Sequence, residues 1–242
     1  QRQLPELPPT AIVGEPCKRD TAPCIGLAAL LVLQQDADAT MAVMPSDHVI
    51  DPTESCQKAL LKTNDLVNQN PDRLVTFGIR PTTPSSSYGY IQQGETLPHK
   101  KDDAPVHRVA QFREKPPVDV AKEYLAAGNF LWNAGIFVWR AKTIIEALSE
   151  HQPACLDHLR RIADNWENPQ RNEVFSEEFA AIKGVSIDYA VLEHATEVAV
   201  IEAPFTWDDL GGWSAVARQR GHDENGNPIV GRHLGIDSKN VL

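Results

Sequence analysis

The chain lacks the features that mark membrane, secreted and nucleic-acid-binding proteins. Its longest apolar run, from Ile25 to Leu33, is far shorter than the roughly 18–20 residues that cross a bilayer. No signal-peptide pattern is visible. Basic charge is also scarce, because the net charge is −10 over 242 residues, whereas nucleic-acid binding usually requires a basic face. We therefore predict neither a membrane nor a nucleic-acid partner.

Cysteine is equally sparse. The four cysteines are scattered and form no C-x-x-C pair or zinc-like cluster (Cys17, Cys24, Cys56 and Cys155). Such thiols are typical of a reducing compartment, which favours a cytoplasmic protein. The length suits one large α/β domain or two small ones.

Strand and helix patterns alternate over most of the chain. Strands are predicted up to Asp47 and over 74–79, 106–114, 130–139 and 197–202, and helices over 21–35, 51–68, 118–127 and much of 141–182. The helix at 51–68 has a capping-box start, with Asp51 as cap and Glu54 at its third position. This alternation predicts a three-layer α/β fold with a mostly parallel sheet.

The pattern changes near Gly221, which divides a domain over 1–221 from a segment over 222–242. A turn at 225–228 precedes short apolar steps about five to six residues apart. This spacing predicts a linker or the start of a β-helix-like appendage, and an irregular tail is the alternative.

Two acidic positions give the clearest indication of chemistry. Asp47 follows Met41–Met44, which we interpret as a short, fully buried strand, and ligands bind beyond the carboxyl ends of such strands. Asp209 lies in a glycine-closed turn between Trp207 and Trp213. Two acids that a fold brings together can hold Mg²⁺ against phosphate oxygens. The alternative for Asp47 is a cap on the turn after its strand.

Three further positions suit a polar ligand. Glu114 and Lys115 end a strand, as a ligand-binding pair or as a surface salt bridge of little energetic value. Asn133, with Ala134 and Gly135, interrupts an otherwise apolar strand, and its amide must find hydrogen-bond partners, in the backbone or on a ligand. Gly89, between two tyrosines, permits close approach to the backbone.

The segment 15–23 joins a turn to a helix N-terminus. Free amides and the helix dipole favour anions there, and Glu15 could accept hydrogen bonds from guanine. A capped loop is the alternative interpretation.

Seven motifs occur in an order that resembles the bacterial mannose-1-phosphate guanylyltransferases, within the sugar-1-phosphate nucleotidyltransferase superfamily. They are E-P-x-x-R-D-T-A-P (15–23), P-S-D-H (45–48), G-I-x-P-T-x-P-x-x-x-Y-G-Y-I (78–91), F-x-E-K-P (112–116), W-N-A-G-I-F (132–137), S-I-D-Y-A-V-L-E (186–193) and W-x-D-L-G-G-W (207–213). Asp20 stands where the family usually has asparagine. The family's glycine-rich G-G-x-G-x-R loop has no match, so we expect a chain truncated at its N-terminus, which alone would have little activity.

The resemblance implies a Rossmann-like nucleotidyltransferase fold and transfer of GMP from GTP to mannose 1-phosphate, with Mg²⁺ as cofactor. It implies that Asp47 and Asp209 hold the metal. It assigns mannose to Gly89, Glu114 and Asn133, the sugar phosphate to Lys115, and the nucleotide to Glu15, Arg19, Asp20 and Thr21. Another hexose 1-phosphate as substrate, a non-catalytic regulatory or assembly subunit, and a homodimer all remain open.

Overall fold

Six strands form one mixed sheet in the computed structural model, which describes residues 4–99, 103–218, 220, 223–229, 231–232, 234–239 and 241. In chain order the elements are a 3₁₀ turn (Pro9–Ala11), α1 (Thr21–Leu33), β1 (Thr40–Val43), β2 (Val49–Asp51), α2 (Thr53–Gln69), β3 (Leu74–Ile79), β4 (Tyr90–Thr96), β5 (Val106–Arg113), α3 (Val118–Ala127), β6 (Phe130–Arg140), α4 (Ala141–His151), α5 (Pro153–Asp164), α6 (Arg171–Ala181), a π-helical turn (Asp188–Leu192), β7 (Val198–Glu202), β8 (Thr206–Asp208) and α7 (Trp213–Arg218).

The resemblance implies a mixed, mostly parallel sheet; the sheet is mixed, but the prediction that it is mostly parallel is wrong. The strand order is β1-β6-β3-β7-β5-β4, and β4 also pairs with β6. Among the described strands only β3 and β7 pair in parallel. The long strand β6 runs antiparallel to β1, β3 and β4, and β5 runs antiparallel to β4 and β7. Alternation of helices and strands along the chain does not determine whether neighbouring strands in the sheet run parallel or antiparallel.

Helices cover both faces of the sheet, which confirms the predicted three layers. Alternate residues of β6 point to opposite faces, as the period of two in a strand requires. Phe137 and Trp139 pack with residues of α1 and α4. Ile136 and Val138 pack with residues of α2. Helices α5 and α6 extend the first layer and pack against α1 around Leu159.

Local signals predict several boundaries correctly. Helix α1 begins after Asp20, whose side chain accepts a hydrogen bond from the backbone N–H of Thr21. Helix α3 ends at Gly128, which has the left-handed conformation (φ 72°) that favours glycine at this position. The predicted capping box at Asp51 is wrong, because Asp51 ends β2 and pairs with Thr206. Helix α2 instead begins at Thr53 without a side-chain cap.

Two strand predictions also need correction. Strand β1 ends at Val43, and it is only partly buried because it lies at the edge of the sheet. Asp47 therefore lies in an exposed loop four residues beyond the strand. Strand β6 continues through Asn133, and the predicted interruption appears as a register shift opposite β3.

Beyond Arg218, the described residues include no helix or strand element. A turn forms where it is predicted, since the Asp223 carboxylate accepts hydrogen bonds from the backbone N–H groups of Asn225 and Asn227. The predicted boundary at Gly221 lies outside the described residues. In the part of the chain that the structure describes, no helix is long and apolar enough to cross a membrane.

Candidate functional site

A two-stranded ribbon of β2 and β8 brings the two predicted metal ligands to the same end of the fold. Val49 pairs with Asp208 in an antiparallel register. The residues just before β2 and just after β8 therefore emerge side by side, and these residues include Asp47 and Asp209. The amino-acid sequence does not indicate this ribbon, because strands of three residues are too short to show a period.

His48 lies between the ribbon and its neighbouring acids. The indole N–H of Trp207 donates a hydrogen bond to His48 Nδ1 at 3.0 Å. Burial lowers the pKa of His48, while the carboxylates of Asp47, Asp209 and Asp208 act in the opposite direction. Because both predicted metal ligands act on one imidazole, they share a single electrostatic environment.

The turn after β8 fixes the orientation of the Asp209 carboxylate. Asp209 Oδ1 accepts hydrogen bonds from the Tyr88 hydroxyl at 3.1 Å and from the Gly211 N–H at 3.2 Å. A Cβ at Gly211 would lie 2.9 Å from Asp209 Oδ2. Leu210, between them, has a left-handed backbone (φ 49°). The turn thus requires the small residue that the sequence analysis noted.

The donors at this end of the fold suit Mg²⁺. The available ligands are carboxylate oxygens, which this hard cation prefers. Among the described residues, no cluster of three or more histidine, cysteine, aspartate or glutamate side chains could hold a metal by itself. Two carboxylates would therefore share the ion with phosphate oxygens and water, as is usual for Mg²⁺ at nucleotide sites.

Gly89, Glu114 and Asn133 are in contact with one another. The backbone N–H of Asn133 donates to the Gly89 carbonyl at 2.8 Å. A Cβ at Gly89 would lie only 2.5 Å from Glu114 Oε2 and 3.3 Å from Asn133 Cβ. Because a larger residue at position 89 would displace them, glycine is required there for the Glu114 and Asn133 side chains to lie in one pocket.

Lys115 forms an ion pair with its neighbour Glu114. The Lys115 ammonium lies 3.0 Å from Glu114 Oε1, and the Glu114 side chain is buried whereas that of Lys115 is exposed. The hydrogen bond to Glu114 raises the pKa of Lys115, which keeps it charged. Lys115 has a left-handed backbone (φ 43°), which turns the chain sharply after β5.

Asp188 is a site residue that the sequence analysis did not single out. Its Oδ1 accepts a hydrogen bond from Asn133 Nδ2 at 2.9 Å. Burial, followed by the nearby Glu114 carboxylate, raises the pKa of Asp188 to about 6. In the sequence it is marked only by its place in the S-I-D-Y motif, and that motif does not indicate which residues Asp188 contacts.

These groups line one open cleft of about 180 Å³, which contains five of the predicted residues. Its walls are Pro45, His48, Ser87, Tyr88, Gly89, Glu114, Lys115, Asn133, Ala134, Gly135, Asp188, Trp207 and Asp209. Edge-on aromatic contacts join His48, Trp207 and Tyr88 across it. Asp47 is not among the lining residues. The Asp209 carboxylate, the Lys115 ammonium and the pocket of Gly89, Glu114 and Asn133 therefore line the same cleft.

The predicted nucleotide segment lies outside this cleft but is linked to it. The Arg19 guanidinium donates to the backbone carbonyls of Lys18 and Ala180. Thr21 Oγ1 accepts from the backbone N–H of Ile187 at 2.8 Å, directly before Asp188. Glu15 is exposed, and its proximity adds to the burial that raises the pKa of Cys24 to about 11. A role for Glu15, Arg19, Asp20 and Thr21 in nucleotide binding stays a prediction.

Comparison with known proteins agrees with this architecture. The family model for nucleotidyl transferases matches residues 4–225. The chain is 36% identical over 237 residues to the xanthan biosynthesis protein XanB of Xanthomonas campestris pv. campestris strain B100, covering 96% of this chain and 48% of that protein. It is 35% identical over 243 residues to the mannose-1-phosphate guanylyltransferase of Escherichia coli K12, covering 99% of this chain and 50% of that protein.

A crystal structure of mannose-1-phosphate geranyltransferase from Thermus thermophilus has a similar fold. Its TM-score is 0.73 at 30% identity, over 88% of this chain and 58% of that chain. The chain spans about half the length of the curated relatives that it matches. The match of the family model over most of the described residues, together with the mixed α/β sheet, shows that the chain belongs to the nucleotidyl transferase family.

Proposed function

We propose that this protein transfers GMP from GTP to mannose 1-phosphate and releases pyrophosphate. The observation that carries the proposal is the meeting of Gly89, Glu114 and Asn133 in a cleft that Asp209 also lines. The names of relatives at about 35% identity, mannose-1-phosphate guanylyltransferase among them, favour mannose and GTP over other pairs.

The chemistry does not require a general base in the protein. A sugar phosphate is largely dianionic at neutral pH, since the second pKa of a phosphate monoester is about 6, and it can therefore attack the α-phosphorus itself. Catalysis then depends on alignment and on charge stabilisation in the transition state. Lys115, exposed at the rim and held by Glu114, would position the phosphate beside the sugar pocket.

Asp47 and Asp209 are the proposed Mg²⁺ ligands. Bound Mg²⁺ would neutralise charge on the phosphate oxygens during transfer. The hydrogen bonds from Tyr88 and Gly211 orient the Asp209 carboxylate, so little reorganisation would be needed when nucleotide arrives. Glu15, Arg19, Asp20 and Thr21 would face the nucleotide, and the junction from Thr21 to Ile187 would connect them to the sugar pocket.

The reaction suits the cytoplasm, where free nucleotides are abundant and four scattered thiols stay reduced. Residues 1–221 would form the catalytic domain. Residues 222–242 would lead into a linker or a β-appendage, and the turn at Asp223 is compatible with either.

The test is a pyrophosphate-release assay on the protein of the full coding sequence. Mannose 1-phosphate and glucose 1-phosphate are compared with GTP, and GTP is compared with UTP. We expect mannose 1-phosphate with GTP to give the highest kcat/KM. A matched control is Glu178→Gln, which removes the contacts of α6 with His158 and Arg161 of α5, none of which lines the cleft, and should retain activity. A higher kcat/KM with glucose 1-phosphate, or no turnover with any pair, would refute the proposal.

A further inference from the structure

The amide of Asn133 has one orientation that its neighbours allow. Its Oδ1 accepts a hydrogen bond from the Gly135 N–H at 3.2 Å and lies 3.1 Å from Thr76 Oγ1, whose single hydrogen it shares with the Ile136 carbonyl. Because a backbone N–H can only donate, Gly135 requires the amide oxygen on this side. The Nδ2 group gives one hydrogen to Asp188 at 2.9 Å and retains a second. Only the donor side of this amide is therefore available to a ligand in the cleft.

We propose that Asp188 is a positioning residue that fixes the Asn133 amide so that it presents an N–H donor, beside the Glu114 acceptor, to a sugar hydroxyl pair. This inference rests on the proposed function, and it deepens the assignment of the sugar pocket. Glu114 is an acceptor when ionised, and its Oε2 lies at the Gly89 wall. A donor and an acceptor side by side match adjacent hydroxyl groups, each of which can donate and accept.

An ionised carboxylate at position 188 reinforces this orientation. A carboxylate only accepts, whereas asparagine or a protonated acid can accept or donate. With either of those at 188, only the Gly135 N–H would oppose a flipped Asn133 amide. The charged groups that face Asp188 are Glu114, directly after β5, and Lys115, which follows it. Tyr189, on the π-helical turn, also interacts electrostatically with Lys115. The nearby Lys115 ammonium favours the ionised form of Asp188.

The residues just before Asp188 are held in place by hydrogen bonds with the segment 19–22. The N–H of Ile187 donates to Thr21 Oγ1, and backbone hydrogen bonds join Val185 to Arg19 and to Ala22. A Cβ at Gly184 would lie 2.9 Å from the Arg19 carbonyl oxygen, so the two segments are in close contact. This anchorage gives Asp188 a fixed position from which it can orient Asn133.

The first experiment compares Asp188→Asn with the double variant Asp188→Asn/Asn133→Asp. The single variant should raise the KM for mannose 1-phosphate roughly tenfold, the loss of about one hydrogen bond, and change the KM for GTP less than about twofold. The double variant restores an amide–carboxylate pair and the charge of the pocket, but residue 133 no longer has an N–H to offer. Its thermal stability should recover, while its KM for mannose 1-phosphate stays high. If the KM for mannose 1-phosphate recovered together with thermal stability, the proposal would be overturned. Such a result would show that the contact between residues 133 and 188 only stabilises the fold.

The second experiment does not depend on activity. The side-chain amide signals of Asn133 are identified in a ¹⁵N-correlated NMR spectrum by their loss in Asn133→Ser. They should shift with a midpoint near the pKa of Asp188, about 6, and the midpoint should fall in Glu114→Gln. If the protein makes no GDP-mannose, the proposed function is refuted. The titration still tests whether Asp188 orients the Asn133 amide. The same titration in Asp188→Asn would overturn the proposal.

Discussion

Two glycine positions allow the site to be perturbed separately from the fold. At Gly89, a Cβ would lie 2.5 Å from Glu114 Oε2, so normal contact at 3.4 Å requires a movement of about 0.9 Å. At Gly78, a Cβ would lie 2.7 Å from Leu131 Cβ and 2.8 Å from Val200 Cγ2. The first contact is with the end of a side chain, and the second is with the packed interior of the sheet.

Gly89→Ala should therefore damage sugar binding more than stability. Displacing the Glu114 carboxylate weakens hydrogen bonds to a charged group, which are worth about 1.5–3 kcal/mol. This loss corresponds to a rise of roughly ten- to 100-fold in the KM for mannose 1-phosphate. The free energy of unfolding should fall by less than about 1 kcal/mol, because the carboxylate can rotate away from the new methyl group.

Gly78→Ala should show the reverse. Overpacking between Leu131 and Val200 costs about 1–3 kcal/mol, and a domain of this size loses roughly 2–4 °C in Tm per kcal/mol. Steady-state kinetics with varied mannose 1-phosphate and varied GTP, beside thermal unfolding, would separate the two effects. If Gly89→Ala raised both KM values equally, the placement of the sugar pocket would be wrong.

Three further changes test other parts of the site. Asp209→Asn should lower kcat roughly 10²- to 10³-fold, as loss of one transition-state charge contact does, with a smaller change in GDP-mannose affinity by calorimetry; equal losses would contradict this role. Thr21→Val removes the acceptor of the Ile187 N–H and should cost about 1–3 kcal/mol in urea unfolding; unchanged stability would mean that the contact is replaced. The pKa of Asp188 is raised from 3.8 to about 6, so the folded state binds this proton more tightly than the unfolded state. Relative to Asp188→Asn, wild-type stability should then fall by up to about 3 kcal/mol as pH rises through this window; a parallel pH profile would contradict the shift.

Local sequence signals predict the elements of this fold better than their arrangement. Strand β3 and helix α3 have the predicted bounds, because an apolar run and a terminal Gly128 are short-range signals. The direction of β6 is decided by its contacts with three other strands, and no local pattern in its sequence encodes that direction. The failed cap at Asp51 has the same origin, since a long-range pairing with Thr206 overrides a local preference.

The candidate site divides in the same way. Gly89, Glu114 and Asn133 are identifiable because each is unusual in its own segment, as a glycine between tyrosines, a charge at a strand end and an amide in an apolar strand. Asp188 has no such local contrast. Its importance arises only when the fold brings it to Asn133 and Glu114, 55 residues away from the first along the chain.

Backbone strain points to the same parts of the molecule as the side chains do. Of the four described non-glycine residues with positive φ, three lie in the motif segments: Asp20, Lys115 and Leu210. Such conformations cost on the order of 1–3 kcal/mol each, and glycine would adopt them more easily. Asp20 caps α1 and Lys115 pairs with Glu114, so at both positions a side-chain contact offsets part of the strain. Strain at these turns therefore accompanies the carboxylate at the N-terminus of α1 and the ammonium at the cleft, the two positions for which we propose contacts with the nucleotide and the sugar phosphate.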